Sequence, residues 1–334
     1  MSLFIQQIKS LQAICIATLV LAAFNCSASQ YSPAETEKII EKLYHNLDNK
    51  PKSDMPARLD FFSSQFLGKP YLLGALGEGA DARFDQSPLY RTDAFDCETY
   101  VDTVLALALA SNKNDFVQCI NKIRYANGQI SFVTRNHFTA LDWNQNNQQQ
   151  NYIKDITASI KNQKKRPVIK MATAMVNKPA WYQHLGIERV QLFPADKNEQ
   201  AARLPELQKE GQTLGIKEEK IPYLPLDVLF NKQGTPNEYL FSQIPDASII
   251  QIVRPNWNLE KVIGTNMNVS HLGFAFWING KLMFREASST EGGVVTISLT
   301  DYLAKLRQSP TIKGINVQVI VPKNYLTNGC TVQE

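Results

Sequence analysis

Apolar positions follow two regimes along the chain. In the first half they recur at helical spacing, and in the last third they run together or alternate. Ser32-Pro33-Ala34-Glu35 has the form of a helix start: a hydroxyl at the cap, proline in the first turn and glutamate three residues on. That helix is expected to reach about Leu47, where Asp48-Asn49-Lys50-Pro51 ends it. A second is expected from about Pro56 to Leu67, with Leu59, Phe62, Phe66 and Leu67 on one side and Gly68 as its stop. A third begins within Phe95-Asp96-Cys97-Glu98-Thr99-Tyr100-Val101. From Cys97, the residues Tyr100, Val101, Val104, Leu105 and Ala108 trace one helical face, and Asp93 or Asp96 stands where a cap belongs. A fourth covers about Asp115 to Tyr125, and the Asn/Gln run from Asn144 to Asn151 reads as a surface loop.

Signals are mixed from Tyr152 to about Pro245, including a basic run at Lys161, Lys164, Lys165 and Arg166 and a helical stretch broken by Pro205, Gly211 and Gly215. We read 152–245 as an insertion within a domain spanning 54–325. Strand patterns follow. Ala247–Val253 is a short apolar run. His271–Ile278 and Lys281–Arg285 flank Asn279-Gly280, a strong hairpin signal. Ile315, Val317, Val319 and Val321 alternate with polar residues. Helices first and strands later predict an α+β domain, a helical layer on an antiparallel sheet.

The N-terminus reads differently. Lys9 is followed by an apolar stretch from Leu11 to Phe24, too short to span a bilayer, and then by Ser27-Ala28-Ser29. This predicts a secretory signal over 1–29, an exported chain and no stable membrane anchor after cleavage. A linker with the first helix would occupy 30–53, and a tail 326–334. Composition adds little: 44% hydrophobic and 20% charged residues describe a globular protein, and a net charge of +4 does not argue for nucleic acid. Of five cysteines, Cys15 and Cys26 would leave with the signal. Cys97, Cys119 and Cys330 remain, and the last two are either paired or both free.

Cys97 in a first helical turn is the candidate nucleophile, since unpaired N–H groups and the helix dipole favour a thiolate there. The hairpin supplies a partner. A two-residue loop pairs Ile278 with Lys281; counting back sets Gly273 opposite Glu286 and His271 opposite Ser288. His271 and Glu286 then share a face as diagonal neighbours, placing a carboxylate where it can orient the imidazole. His45, His137 and His184 are competing histidines.

Three blocks in this order carry a family resemblance: Leu67-Gly68-Lys69-Pro70-Tyr71, then Phe95-Asp96-Cys97, then Val269-Ser270-His271-Leu272-Gly273 with Phe284-Arg285-Glu286-Ala287-Ser288. The chain resembles the NlpC-type superfamily of bacterial cell-wall cysteine peptidases and amidases, which have a papain-like fold. The Arg135-Asn136-His137-Phe138 cluster with Trp143 and the long insertion resemble its N-acetylmuramoyl-L-alanine amidase-like branch. The resemblance implies Cys97 as nucleophile, His271 as general base and Tyr71 lining the site, with peptidoglycan or its fragments as substrate. The expected reaction is cleavage of the N-acetylmuramoyl-L-alanine amide, with a stem-peptide endopeptidase or a non-catalytic wall-binding module as the alternatives; no cofactor or metal is expected. Glu286 stands where the family usually has a second histidine, and Asn268 where an acidic residue is common. Asp96, Arg135 and His137 complete the candidate substrate-contacting set. The guanidinium of Arg135 suits a carboxylate, with a structural ion pair as the alternative.

Overall fold

The last strand of the chain lies in the middle of its sheet. In a computed structural model, which describes residues 31–47, 54–321 and 330, eight strands pair antiparallel. They are β1 (Ile153–Asp155), β2 (Lys170–Asn177), β3 (Ile216–Pro225), β4 (Ser248–Asn258), β5 (Asn266–Ile278), β6 (Lys281–Ser288), β7 (Gly293–Ser298) and β8 (Gly314–Ile320). Their order is β2-β3-β8-β4-β5-β6-β7, and β1 also pairs with β8. The expected signal over 1–29 lies outside the described residues, as do 48–53 and all of the tail except Cys330. The 152–245 segment does not stand apart from this sheet, because it supplies β1, β2 and β3.

The helices are α1 (Pro33–Leu47), α2 (Met55–Ser64), α3 (Cys97–Leu109), α4 (Lys113–Arg124), α5 (Asn144–Gln149), α6 (Lys178–Gln183) and α7 (Lys197–Gly211). The short α8 (Leu226–Leu229), α9 (Glu238–Phe241) and α10 (Glu260–Ile263) precede α11 (Leu299–Leu306). One face of the sheet packs Ile249, Leu272, Phe274 and Phe276 against α1 to α4. The other packs Ile250, Ile252, Ala275, Phe284 and Val317 against α8, α9 and α11. Both faces being covered explains why β4 is buried continuously from Ser248 to Val253 rather than alternating.

Helix α3 is encased. Its apolar face was expected inside, but every residue from Thr99 to Leu109 is buried. Asp102 and Thr103, which fall off that face, find polar partners: Asp102 accepts the Trp143 indole N–H at 2.6 Å, and Thr103 donates to the Thr99 carbonyl at 2.7 Å.

The Asn/Gln run corrects the surface-loop expectation. It forms α5, with Asn144 and Asn147 buried. Internal partners take up most of these amide groups: Asn144 and Gln251 exchange hydrogen bonds of 3.0 and 2.6 Å, Gln148 donates to Gln318 at 3.1 Å, and Asn147 donates to the Trp143 carbonyl at 2.9 Å, its buried Oδ1 lacking a partner among the described residues. Buried amides are tolerated when each finds a partner, and composition alone does not reveal that pairing.

Candidate active site

The site forms where the β5–β6 ladder opens. Asn279 and Gly280 take φ of 50° and 74°, and Ile278 pairs with Lys281, the register expected from the loop. Pairing runs to Phe274–Arg285 and stops there. Beyond it, β6 continues with β7, Glu286 opposite Val295, while β5 goes on beside β4. The N-terminus of α3 packs on β5 here, and the backbone N–H groups of Leu272 and Glu98 come close enough to the Cys97 sulfur to favour its thiolate.

A chain of backbone contacts holds Cys97 in place. Gly68 N–H donates to Val294 O at 2.9 Å and Val294 N–H to Lys69 O at 2.8 Å, so 68–71 extends the sheet past β7. Gly293 permits this approach, since a Cβ there would come 2.6 Å from the Lys69 carbonyl oxygen. Phe95 N–H donates to Pro70 O at 3.1 Å and Leu72 N–H to Phe95 O at 2.9 Å. Asp96 then caps α3 in a reciprocal box with Thr99 and accepts Gly74 N–H at 2.8 Å. Its carboxylate is therefore occupied in fixing the helix start.

His271 immediately precedes Leu272. Its Nε2 contacts the Glu286 carboxylate directly, and Glu286 is 2% exposed. That leaves Nδ1 as the ring nitrogen available to the thiol. The second Glu286 oxygen, Oε1, is buried without a partner among the described residues. The ring packs edge-on to Phe284 at 5.9 Å and beside Tyr302 at 6.5 Å between centroids. Tyr302, on α11, lies near enough to Glu286 and Cys97 to feel both charges, which add to burial in pushing its phenol up. Sequence pattern gave no sign of Tyr302, because nothing local says which side of the sheet α11 covers.

The thiol is not poised as a ready thiolate. Burial pushes its pKa up, the Asp96 and Glu98 carboxylates add to the shift, and the N–H groups of Leu272 and Glu98 oppose it without prevailing. A helix start was expected to favour the thiolate; here two acidic neighbours and restricted solvation outweigh it. Tyr71 sits nearby, its phenol pushed up to about 12 by burial and by the charges of Cys97 and Asp96.

A small polar cleft of about 130 Å³ adjoins the helix start, lined by Gly74, Asp96, Glu98, Asp102, Arg135 and His137 among others. Arg135 is already engaged: its guanidinium pairs with Glu78 and, at 2.8 Å, with Asp85, and these carboxylates keep it charged despite burial. It adopts the structural ion pair, the alternative to contacting substrate. The His137 ring packs against Phe132 and Trp181, each at 4.7 Å, and its Nε2 meets the Phe132 carbonyl. Burial, then the Arg135 charge, hold its pKa well below the usual histidine range. Neither residue joins the Cys97–His271–Glu286 group; both wall the cleft beside it. Asn268, buried, accepts Asn256 N–H at 2.8 Å. Among the described residues, no cluster of three or more metal-ligating side chains is present.

Comparison with known proteins bears on this arrangement. Residues 61–312 match the model of the AmiA-like family, described as N-acetylmuramoyl-L-alanine amidase-like. A crystal structure of a Legionella pneumophila protein of the DUF1460 family is similar, at 51% identity and a TM-score of 0.84, over 86% of this chain and 95% of that one. A Bacteroides uniformis N-acetylmuramoyl-L-alanine amidase aligns at 25% identity and a TM-score of 0.54, over 80% of this chain and 98% of that one. No curated protein matches.

Proposed function

Because this chain belongs to the AmiA-like, N-acetylmuramoyl-L-alanine amidase-like family, we propose that it is a cysteine hydrolase of peptidoglycan or its turnover fragments. The bond cleaved is the amide between the muramoyl lactyl group and L-alanine. The observation that carries this reading is the His271–Glu286 contact on a strand that packs against α3, with the N–H of Leu272, next after His271, close to the Cys97 sulfur.

The chemistry follows from a neutral resting thiol. His271 Nδ1 takes the thiol proton as sulfur attacks the carbonyl, so proton transfer accompanies attack. The Glu286 carboxylate stabilises the imidazolium. The Cys97 N–H, in the first turn of α3 and without an intrahelical acceptor, faces the developing oxyanion. Collapse breaks the C–N bond, and His271 returns the proton to the leaving alanine nitrogen. Water then attacks the thioester with His271 as base, releasing the lactyl carboxylate and restoring the thiol.

The same reading takes the fold as papain-like and NlpC-type, with a nucleophile helix abutting the histidine strand. It takes the chain as exported, supported by the apolar stretch from Leu11 to Phe24 and by a Cys119–Cys330 disulfide, a bond favoured in oxidising compartments. Incubation with defined muropeptides and separation of products by mass tests the activity. Stem peptides beginning with L-alanine, absent with Cys97→Ala protein, are expected. Cleavage inside the stem peptide, or undiminished turnover by folded Cys97→Ala protein, overturns the reading.

A further inference from the structure

We propose that Arg254, packed over the Trp257 ring, is a specificity-determining residue that binds a carboxylate of the substrate's peptide stem beside His271. The inference rests on the muramoyl-peptide reading of the site.

Position comes from strand register. Ile252 pairs with His271 across β4 and β5, and Val253 pairs with Val269, so one residue of β5 is extra. Regular pairing resumes only at Trp257–Met267. Arg254 therefore follows His271's cross-strand partner by two residues, roughly 7 Å along the strand, in the stretch that leaves the ladder. Asn256, at φ 47°, completes the deviation. Bulges re-aim side chains in this way and recur beside active sites.

Occupancy distinguishes Arg254 from the other arginines around the site. Arg124 bonds the Gly77 and Leu76 carbonyls, Arg135 pairs with Glu78 and Asp85, and Arg285 pairs with Asp60. Among the described residues Arg254 has no ion-pair or hydrogen-bond partner, and its Nε is buried without an acceptor. The guanidinium carbon lies over the Trp257 ring, 4.0 Å from its centroid, a cation–π contact that restrains the group without using its N–H donors. A planar cation restrained in this way, with a buried donor unmatched, is complementary to a planar anion that accepts two hydrogen bonds. Partial burial lowers its pKa, and Tyr302, which packs beside the His271 ring at 6.5 Å, is close enough to be felt at Arg254. Muramoyl peptides carry carboxylates on the amine side of the scissile bond, and Arg254 supplies the matching charge.

The test is binding without turnover. Cys97→Ala protein is titrated calorimetrically with N-acetylmuramoyl-L-alanyl-D-glutamate and with its diamide. The diacid should bind about tenfold or more tightly than the diamide. Adding Arg254→Met should abolish that preference while leaving diamide binding unchanged, and Arg254→Lys should keep part of it. Matching thermal unfolding curves would show the variants folded. A preference undiminished in Arg254→Met, equal loss of both ligands, or no binding of either overturns the proposal. Hydrolysis by the parent enzyme is scored separately. Carboxylate-selective, Arg254-dependent binding without cleavage would sink the amidase reading and leave this one standing; cleavage indifferent to Arg254→Met would do the reverse.

Discussion

Glu286 is the residue that holds His271, the proposed general base. One of its oxygens holds His271 and the other is buried without a partner, so its charge has no other outlet. Glu286→Gln keeps an acceptor and should slow turnover moderately. Glu286→Ala removes the orienter and should cost about 10²-fold or more in kcat, within the range of a lost acid–base contribution. Glu286→His keeps a side chain able to hold the imidazole and should retain substantial activity. Wild-type rates in Glu286→Ala would reduce the site to a Cys97–His271 dyad. Cys97 carries a second prediction. Its pKa is raised, so the reactive thiolate is scarce at neutral pH and grows as pH rises. Alkylation of the free enzyme should climb by about tenfold per unit through mildly alkaline pH, since the thiolate is the nucleophile. A rate flat from about pH 6 to about pH 9 would mean a preformed thiolate. Legibility at this scale depended on range. The Asn279-Gly280 loop fixes register as far as Phe274–Arg285; the expected Gly273–Glu286 and His271–Ser288 pairs are absent from the ladder, yet His271 and Glu286, just past its end, still meet. The partners of Arg135 are 50 and 57 residues upstream, at Asp85 and Glu78, with no local pattern to announce them.

Capping and buried amides decide how the elements behave. Asp96 ties α3 to both Thr99 and Gly74, so Asp96→Ala should lose roughly 1 kcal/mol of cap energy and loosen the loop that seats Cys97. Chemical denaturation and kcat should therefore fall together. Gln251→Leu separates these effects. It leaves Asn144 buried and unpaired, at a cost of about 1–3 kcal/mol, yet should leave kcat unchanged because neither amide contacts Cys97, His271 or Glu286. A kinetic loss matching the stability loss would contradict that separation. The helix starts at Pro33 and Cys97 were legible because caps are local. The α5 helix was not, because a run of amides looks solvated until Gln251 and Gln318 are placed opposite it. The full burial of α3 was likewise invisible, since helical periodicity reports the apolar face and not what covers the others.

At the scale of the molecule, the chain is closed by the Cys119–Cys330 bond across 211 residues. Cys119→Ala should lower unfolding free energy by up to about 5 kcal/mol, the loop-entropy limit for so long a closure, with little change in turnover. Loss of turnover in protein that remains folded would give the bond a role in the site. The sequence order of helices then strands anticipated an α+β fold, but not the weave of β1, β2 and β3 into the sheet through β8. Strand neighbours that far apart are set by packing rather than local pattern. The central claim is that Cys97 carries the muramoyl acyl group. Rapid acid quench during turnover of N-acetylmuramoyl-L-alanyl-D-glutamate, followed by peptide mapping by mass, measures this directly. The account predicts a muramoyl thioester on the Cys97 peptide, with free L-alanyl-D-glutamate released first. An adduct containing alanine, an adduct on another residue, or turnover with Cys97 never acylated would contradict it.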